Sequence, residues 1–226
     1  MNTASRSAST PTTVVLGSAS PARLRVLRGA GLAPTVVVSA VDEDALLEDL
    51  AGAPFPQIVT RLAEAKADAV VAAILDDAVD GVQASADIVV LACDSMLLHD
   101  GELSGKPHTH EAAVARWRRV RGTTGHLITG HCVRRLAGGQ PVATAAHSES
   151  TAIFFADASD ELIDRYVATG EPLEVAGGFT LDGIGGWLID GIDGDPSSVL
   201  GISLPLVRRL LTEVGVDVAD LWVAIP

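Results

Sequence analysis

Asp94 follows an apolar run at residues 88–93, the kind of run expected of a strand buried on both faces. A carboxylate there is costly unless a cation or hydrogen-bond donors meet it. In α/β sheets functional groups gather where strands end at a cleft, which makes Asp94 a candidate catalytic or metal-binding group. The competing reading is an Asp that only starts the next turn. Asp42, Glu43 and Asp44 offer oxygen ligands that could join Asp94 on a hard cation such as Mg²⁺, or they form a solvated acidic loop. The segment Gly17-Ser18-Ala19-Ser20-Pro21-Ala22-Arg23 leads from a strand into a helix N-terminus. Unpaired N–H groups, two hydroxyls and one guanidinium in such a loop suit a phosphate, although an ordinary capped helix start looks the same. The pattern GxxxxGK[ST] is absent, which excludes a P-loop.

Only two of the 16 basic residues are lysine, Lys66 and Lys106. A compact ammonium approaches a phosphate as a point charge, where arginine offers a planar fork. Together with Arg23 the two lysines could neutralise a polyphosphate, or they survive by chance in an arginine-rich composition. Other chemistries fit poorly. His108 and His110 lack a third zinc ligand nearby, and no GxSxG elbow marks a serine hydrolase. Gly183-Ile184-Gly185-Gly186 precedes a strand and does not open a helix, so it is no dinucleotide fingerprint; its glycines serve close approach to a flat ligand, or a tight turn.

These groups need elements to position them. Residues 14–16 read as a strand, then a helix capped by Ser20 and closed at Gly31, then a strand at 35–38. A long helix opens at Pro54 and Pro56, and an acidic break covers 76–86. Asp100-Gly101 signals a hairpin between 96–99 and 102–103. A helix follows at 111–119, whose clustered arginines (116, 118, 119 and 121) complement the macrodipole. Paired strands at 129–136 and 142–155 turn at Gly138-Gly139. Then come a helix capped by Ser159, a strand at 187–192 and a last helix at 205–214. Strands and helices interleave without a strict βαβ repeat, which predicts a mixed α/β sheet flanked by helices.

The 226 residues carry 29 acidic groups, a net charge of −13, 48% apolar residues and 4% aromatics. Disorder is disfavoured by the apolar content. A nucleic-acid partner is disfavoured by the sign of the charge and the lack of interleaved aromatics. No apolar run reaches the roughly 18 to 20 residues of a membrane span. Cys93 and Cys132 read as buried free thiols of a cytoplasmic chain. The N-terminus has no apolar segment of a secretory signal. The expected organisation is a frayed tail at residues 1–12 and a single domain at 13–226.

Taken together the motifs resemble the Maf family, known as septum-formation inhibitor-like proteins and as nucleoside triphosphate pyrophosphatases. The likeness rests on LGSASPARLRVL (16–27), VDE (41–43), RLAEAKA (61–67), ACDSMLLHDGELSGKP (92–107), RGTTGHLITGHC (121–132), YVATGEPLEVAGGFTLDGIGGWLI (166–189) and IDGDPSSVLGISL (192–204). It implies a mixed twisted sheet related to the inosine triphosphatase-like pyrophosphatases, with two lobes around a cleft and often a homodimer. It implies hydrolysis of a nucleoside triphosphate between the α and β phosphates with a divalent cation, Mg²⁺ or Mn²⁺. By position Asp94 matches the catalytic carboxylate and Glu43 its partner at the metal. Ser18, Ser20, Arg23, Lys66 and Lys106 match the phosphate-contacting set. A regulator of septum formation acting through a protein partner is the alternative that the family's older name implies.

The sequence also departs from the family pattern. Ala22 stands where many members have a first arginine, and Glu174-Val175 where many have a lysine. Ser95 replaces a threonine typical of pyrimidine-preferring members, and Asp182 lies just before the glycine turn. Ser95 and Asp182 are therefore the base-recognition candidates; a carboxylate there favours a donor-rich purine edge, such as a methylated guanine, over thymine. The same Asp182 would also serve as a turn cap.

Overall fold

The computed structural model describes residues 12–223. The tail expected at residues 1–12 lies outside them except for Thr12, whose hydroxyl donates to Asp87 Oδ2 at 3.0 Å. The run at 88–93 opens a longer strand, β3 (Ile88–His99); the strands before it are β1 (Thr13–Leu16) and β2 (Thr35–Val36). After it come β4 (Glu102–Ser104), β5 (Thr124–Ala137), β6 (Gln140–Phe155) and β7 (Ile189–Asp193). They form one mixed sheet in the order β2-β1-β3-β5-β6-β7, with β4 also on β3. β1 runs parallel to β2 and β3; all other pairings are antiparallel.

One edge of β3 is paired with β5 from Ile88 opposite Leu136 to Leu98 opposite His126. The other edge is shared: β1 covers residues 88–91 and β4 covers 97–99. Residues 92–96 therefore have no strand on that side. The two-residue turn Asp100-Gly101, both with positive φ, folds β4 back onto β3 and sets the upper limit of this gap.

Side chains alternate along β3, and the helices sort by face and height. α1 (Pro21–Gly29) and α7 (Leu204–Glu213) pack on Val89, Leu91 and Cys93. On the opposite face α3 (Phe55–Leu75) packs on Ile88, Val90 and Ala92 and, through its first turns, on Met96. Leu97 belongs to a separate core with α4 (His110–Val120) and α5 (Asp160–Ala168). That core holds four aromatics, with Trp117 edge-on to Phe155 and Tyr166, and Phe155 edge-on to Phe179. Two lobes result. The polar residues Asp94, Ser95, Thr129, His131 and Thr151 are buried on the strands at the waist between them.

Several local expectations change. The acidic loop at 42–44 is the start of a helix, α2 (Glu43–Asp49), because the Asp42 side chain accepts from Ala45 N and acids favour the first turn. Asp94 does not end its strand; β3 runs on through it. The strand expected at 35–38 pairs only over β2, and that at 187–192 starts at Ile189, after a 3₁₀ segment, Ile184–Leu188. A short helix, α6 (Pro196–Val199), has no counterpart among the expected elements. The arginines in the last turn of α4 and just after it tie elements together: Arg118 and Arg121 reach Asp160, and Arg119 reaches Glu102. Both cysteines are buried free thiols. Among the described residues no helix is long and apolar enough to cross a membrane.

Gly130, opposite Asp94, lets α3 lie directly on the sheet. A Cβ there would overlap the Val59 carbonyl oxygen. Gly130→Ala must therefore push α3 away. Urea denaturation should show a loss of about 1–3 kcal/mol, the range for overpacked cores; an unchanged midpoint would refute the close approach.

Candidate active site

Asp94 is 7% exposed and is paired there with a buried ammonium. Lys66, 8% exposed on α3, places Nζ 2.5 Å from Asp94 Oδ1 and 2.9 Å from Glu43 Oε1. The helical spacing that buries Leu62, Ala63, Ala67 and Val70 carries Lys66 inward with them. Glu43 arrives from the first turn of α2 and stays half-exposed. Asp94 Oδ2 has no hydrogen bond among the described residues, so one oxygen of the buried carboxylate is left to act.

The gap beside β3 is closed by a side chain. Arg23 Nη1 donates to the Cys93 carbonyl at 2.8 Å, a bond that a neighbouring strand would otherwise supply. The same guanidinium donates to Ser18 Oγ at 3.0 Å, to Ser95 Oγ at 3.1 Å and, through Nε, to the Gly201 carbonyl at 2.9 Å. Four of its five N–H groups are thus spent on the protein. Arg23 holds Ser18 and the Cys93-Asp94-Ser95 stretch in register with at most one donor left over. Ser20 caps α1 by accepting from Arg23 N, while Ser18 Oγ accepts from Ser20 N. Among the described residues the N–H groups of Ala19 and Ala22 have no protein acceptor and are free for an anion.

Lys106 is exposed and makes no ion pair among the described residues. Its neighbours fix it. The Gly105 carbonyl accepts from Arg116 Nη1 at 2.5 Å and from Gly177 N at 3.2 Å, and His108 N donates to Leu173 O. Ser95 is buried between Arg23 and the Thr129 hydroxyl, which donates to it at 3.0 Å. Asp182 is exposed and pairs with Arg25 of α1 at 2.8 Å, linking the glycine-rich segment to the helix that starts at Ser20. Lys66, Asp94 and Glu43 meet directly, and Arg23, Ser18 and Ser95 form a second group joined to Asp94 through the backbone. Lys106 and Asp182 contact neither group.

Sequence reading missed Arg116, Thr129 and Glu171. The Glu171 carboxylate accepts from the Tyr166 and Thr180 hydroxyls and from Ile184 and Gly185 N, and so shapes the turn that follows Asp182. Gly185 leaves no room for a side chain there, since a Cβ would fall 2.6 Å from Tyr166 Oη. The glycines serve a tight turn. Burial raises the Glu171 pKa, but the donors of Thr180, Ile184, Gly185 and Tyr166 outweigh it and hold the carboxyl below its ordinary 4.5. Cys93 is no nucleophile, because burial pushes its thiol up to about 11.

The donor set fits a small hard cation. Two carboxylates already touch one ammonium, so one cation can touch both, and oxygen ligands alone suit Mg²⁺ or Mn²⁺. Among the described residues no group of three or more His, Cys, Asp or Glu side chains surrounds one point. Phosphate oxygens and water would complete the shell, as Mg²⁺ commonly requires.

A two-lobed α/β fold with a carboxylate–ammonium cluster and a hydroxyl-lined helix N-terminus has the groups to bind a phosphorylated substrate through a cation. The family model described as Maf-like protein matches residues 13–214, and the chain belongs to that family. It is 57% identical over 211 residues to the nucleoside triphosphate pyrophosphatase of Nocardia farcinica, covering 93% of this chain and 96% of that protein. It is 55% identical over 209 residues to the one from Saccharopolyspora erythraea, covering 92% and 96%. For the one from Mycolicibacterium gilvum the figures are 54% over 212 residues, 93% and 99%.

Lys66→Met strands the Asp94 carboxylate, and denaturation at neutral pH should show a loss of about 3–5 kcal/mol. No loss would mean that Asp94 finds its counter-charge elsewhere. Glu171 has a depressed pKa, so its stabilisation is complete above pH 4.5 and vanishes as pH falls through its lower folded value. Glu171→Gln should therefore be less stable than wild type at neutral pH, with the difference closing in acid. A pH-independent difference would refute this account.

Proposed function

We infer that this chain is a nucleoside triphosphate pyrophosphatase, a hydrolase acting on acid anhydrides that releases a nucleoside monophosphate and pyrophosphate. The observation that carries the reading is the shared Lys66 ammonium, which places Asp94 and Glu43 side by side in the waist next to the Ser18–Ser20 helix start. Mg²⁺ or Mn²⁺, held by Glu43 and Asp94, would supply Lewis acidity to the phosphate oxygens.

The chain's own groups account for the rest. Asp94 Oδ2 accepts the proton of a water that attacks the α-phosphorus; the bond to the bridging oxygen breaks and pyrophosphate leaves with that oxygen. Lys66, Lys106 and the free N–H groups at the start of α1 offset the charge on the leaving group, while Ser18 and Ser20 orient it. Ser95 and Asp182 are assigned to base recognition, where Asp182 favours a donor-rich or modified purine edge. A homodimer and a cytoplasmic location belong to the same reading, supported by the family likeness and by the two buried thiols. A septum-formation regulator is not favoured, since the relatives are named for the enzyme activity.

Pyrophosphate release measured over canonical and modified triphosphates, with and without Mg²⁺, tests the activity and the cation requirement together. Asp94→Asn should lower turnover by about 10²- to 10⁴-fold, the worth of a general base, with its circular dichroism spectrum unchanged. A variant retaining near-normal turnover would remove Asp94 from this role.

A further inference from the structure

His131 is buried among the residues of the waist and belongs to none of the groups assigned above. Its ring faces two backbone groups: Nε2 lies 2.8 Å from Ser203 N and Nδ1 lies 3.1 Å from the Thr129 carbonyl oxygen. A backbone N–H can only donate, so Nε2 must be unprotonated and Nδ1 must carry the proton. The ring is neutral and held in one tautomer. Burial first, then the charge of Arg23, push its pKa down to about 4, against smaller upward pulls from the Thr129 carbonyl and Asp195.

Ser203 caps α7 through its own hydroxyl, which accepts from Leu206 N. Two residues earlier, the Gly201 carbonyl accepts a hydrogen bond from Arg23 Nε–H. Gly201 has a φ of +113°, and a Cβ there would sit 3.1 Å from Arg23 Cγ, so this backbone is pressed against the arginine stem. The stretch from Gly201 to Ser203 thus lies between Arg23 and His131. Thr129, two residues from His131 on the same face of β5, reaches the other end of the guanidinium through Ser95.

We propose that His131 is a positioning residue for triphosphate binding: it fixes the Gly201–Ser203 backbone, and so Arg23, the Ser18 loop and the open edge of β3 beside Asp94. An apolar side chain at 131 would leave the Ser203 N–H buried without a partner, and the segment would move to recover one. Arg23 would then lose its Nε acceptor and its fixed stem. The proposal rests on the pyrophosphatase reading. Ser18 and the loop N–H groups, which Arg23 braces, hold the polyphosphate alike in the ground and transition states, so loosening them changes KM more than kcat.

The test is a double-mutant cycle in steady-state kinetics, using the triphosphate that wild type turns over best. His131→Leu should raise KM about tenfold with kcat changed less than about threefold. In an Arg23→Ala background the same change should cost less than about twofold, since the arginine it acts through is gone. His131→Gln, whose amide oxygen can accept from Ser203 N, should recover most of the loss. Equal costs in both backgrounds, or no rescue by Gln, would overturn the proposal. Should the Leu variant fail to fold, ¹⁵N NMR of wild type decides: a ring carrying its proton on Nδ1 at neutral pH supports the proposal, and a cationic or Nε2–H ring overturns it. Absence of turnover in wild type would sink the pyrophosphatase reading, while the NMR spectrum would still report the state of the His131 ring independently.

Discussion

A carboxylate in the middle of a buried strand must be matched by a cation, and this demand organises the waist of the molecule. Asp94 meets that demand through Lys66, which a 21-residue helix carries in from the opposite layer. The helix can come close enough only because Gly130, opposite Asp94, has no side chain. Glu43 joins the same ammonium from the start of α2. A break in the Lys66–Asp94 pair would leave a buried charge unsolvated, which costs more than most single contacts in a protein. The position of α3 and the chemistry of the site are therefore one problem with one solution.

The second constraint is the unpaired edge of β3. A strand with no neighbour normally leaves its carbonyl and N–H groups to water. Here β1 stops at Leu16 and β4 starts beside Leu97, and Arg23 fills part of the interval by bonding the Cys93 carbonyl. The gap leaves one backbone edge of residues 92–96 without a strand partner, and the arginine satisfies the Cys93 carbonyl there. Because the guanidinium also holds Ser18, Ser95 and Gly201, the Ser18 loop and the Gly201 turn are both tied to β3.

Much of the local structure is legible in the residues. Ser20 and Ser159 cap helices where expected, while the caps at Asp42 and Ser203 emerge only in the fold. The Asp100-Gly101 and Gly138-Gly139 turns fall where their φ preferences place them. Asp94 stands out in the sequence for the right reason, the cost of a carboxylate in an apolar run, yet the strand end it suggests is the wrong geometry. A strand end and a gap beside a continuous strand leave the same trace in one dimension, because the missing neighbour is contributed by other parts of the chain. Arg23 illustrates the same limit. Its place at a helix start points to an anion, while four of its bonds go to protein groups, three of them 70, 72 and 178 residues away.

The sequence by itself determined the alternation of strands and helices, the caps and turns, and the identity of the charged residues available for chemistry, because each depends on near neighbours and on side-chain type. The tertiary structure alone decided that Lys66 serves two carboxylates, that Arg23 acts as a brace, that the backbone beside Lys106 is held by Arg116, and that a neutral His131 stands behind Arg23. Each of these is a contact between surfaces brought together by packing. Its energy comes from desolvation and from the geometry of the shared space, neither of which a linear order of residues contains.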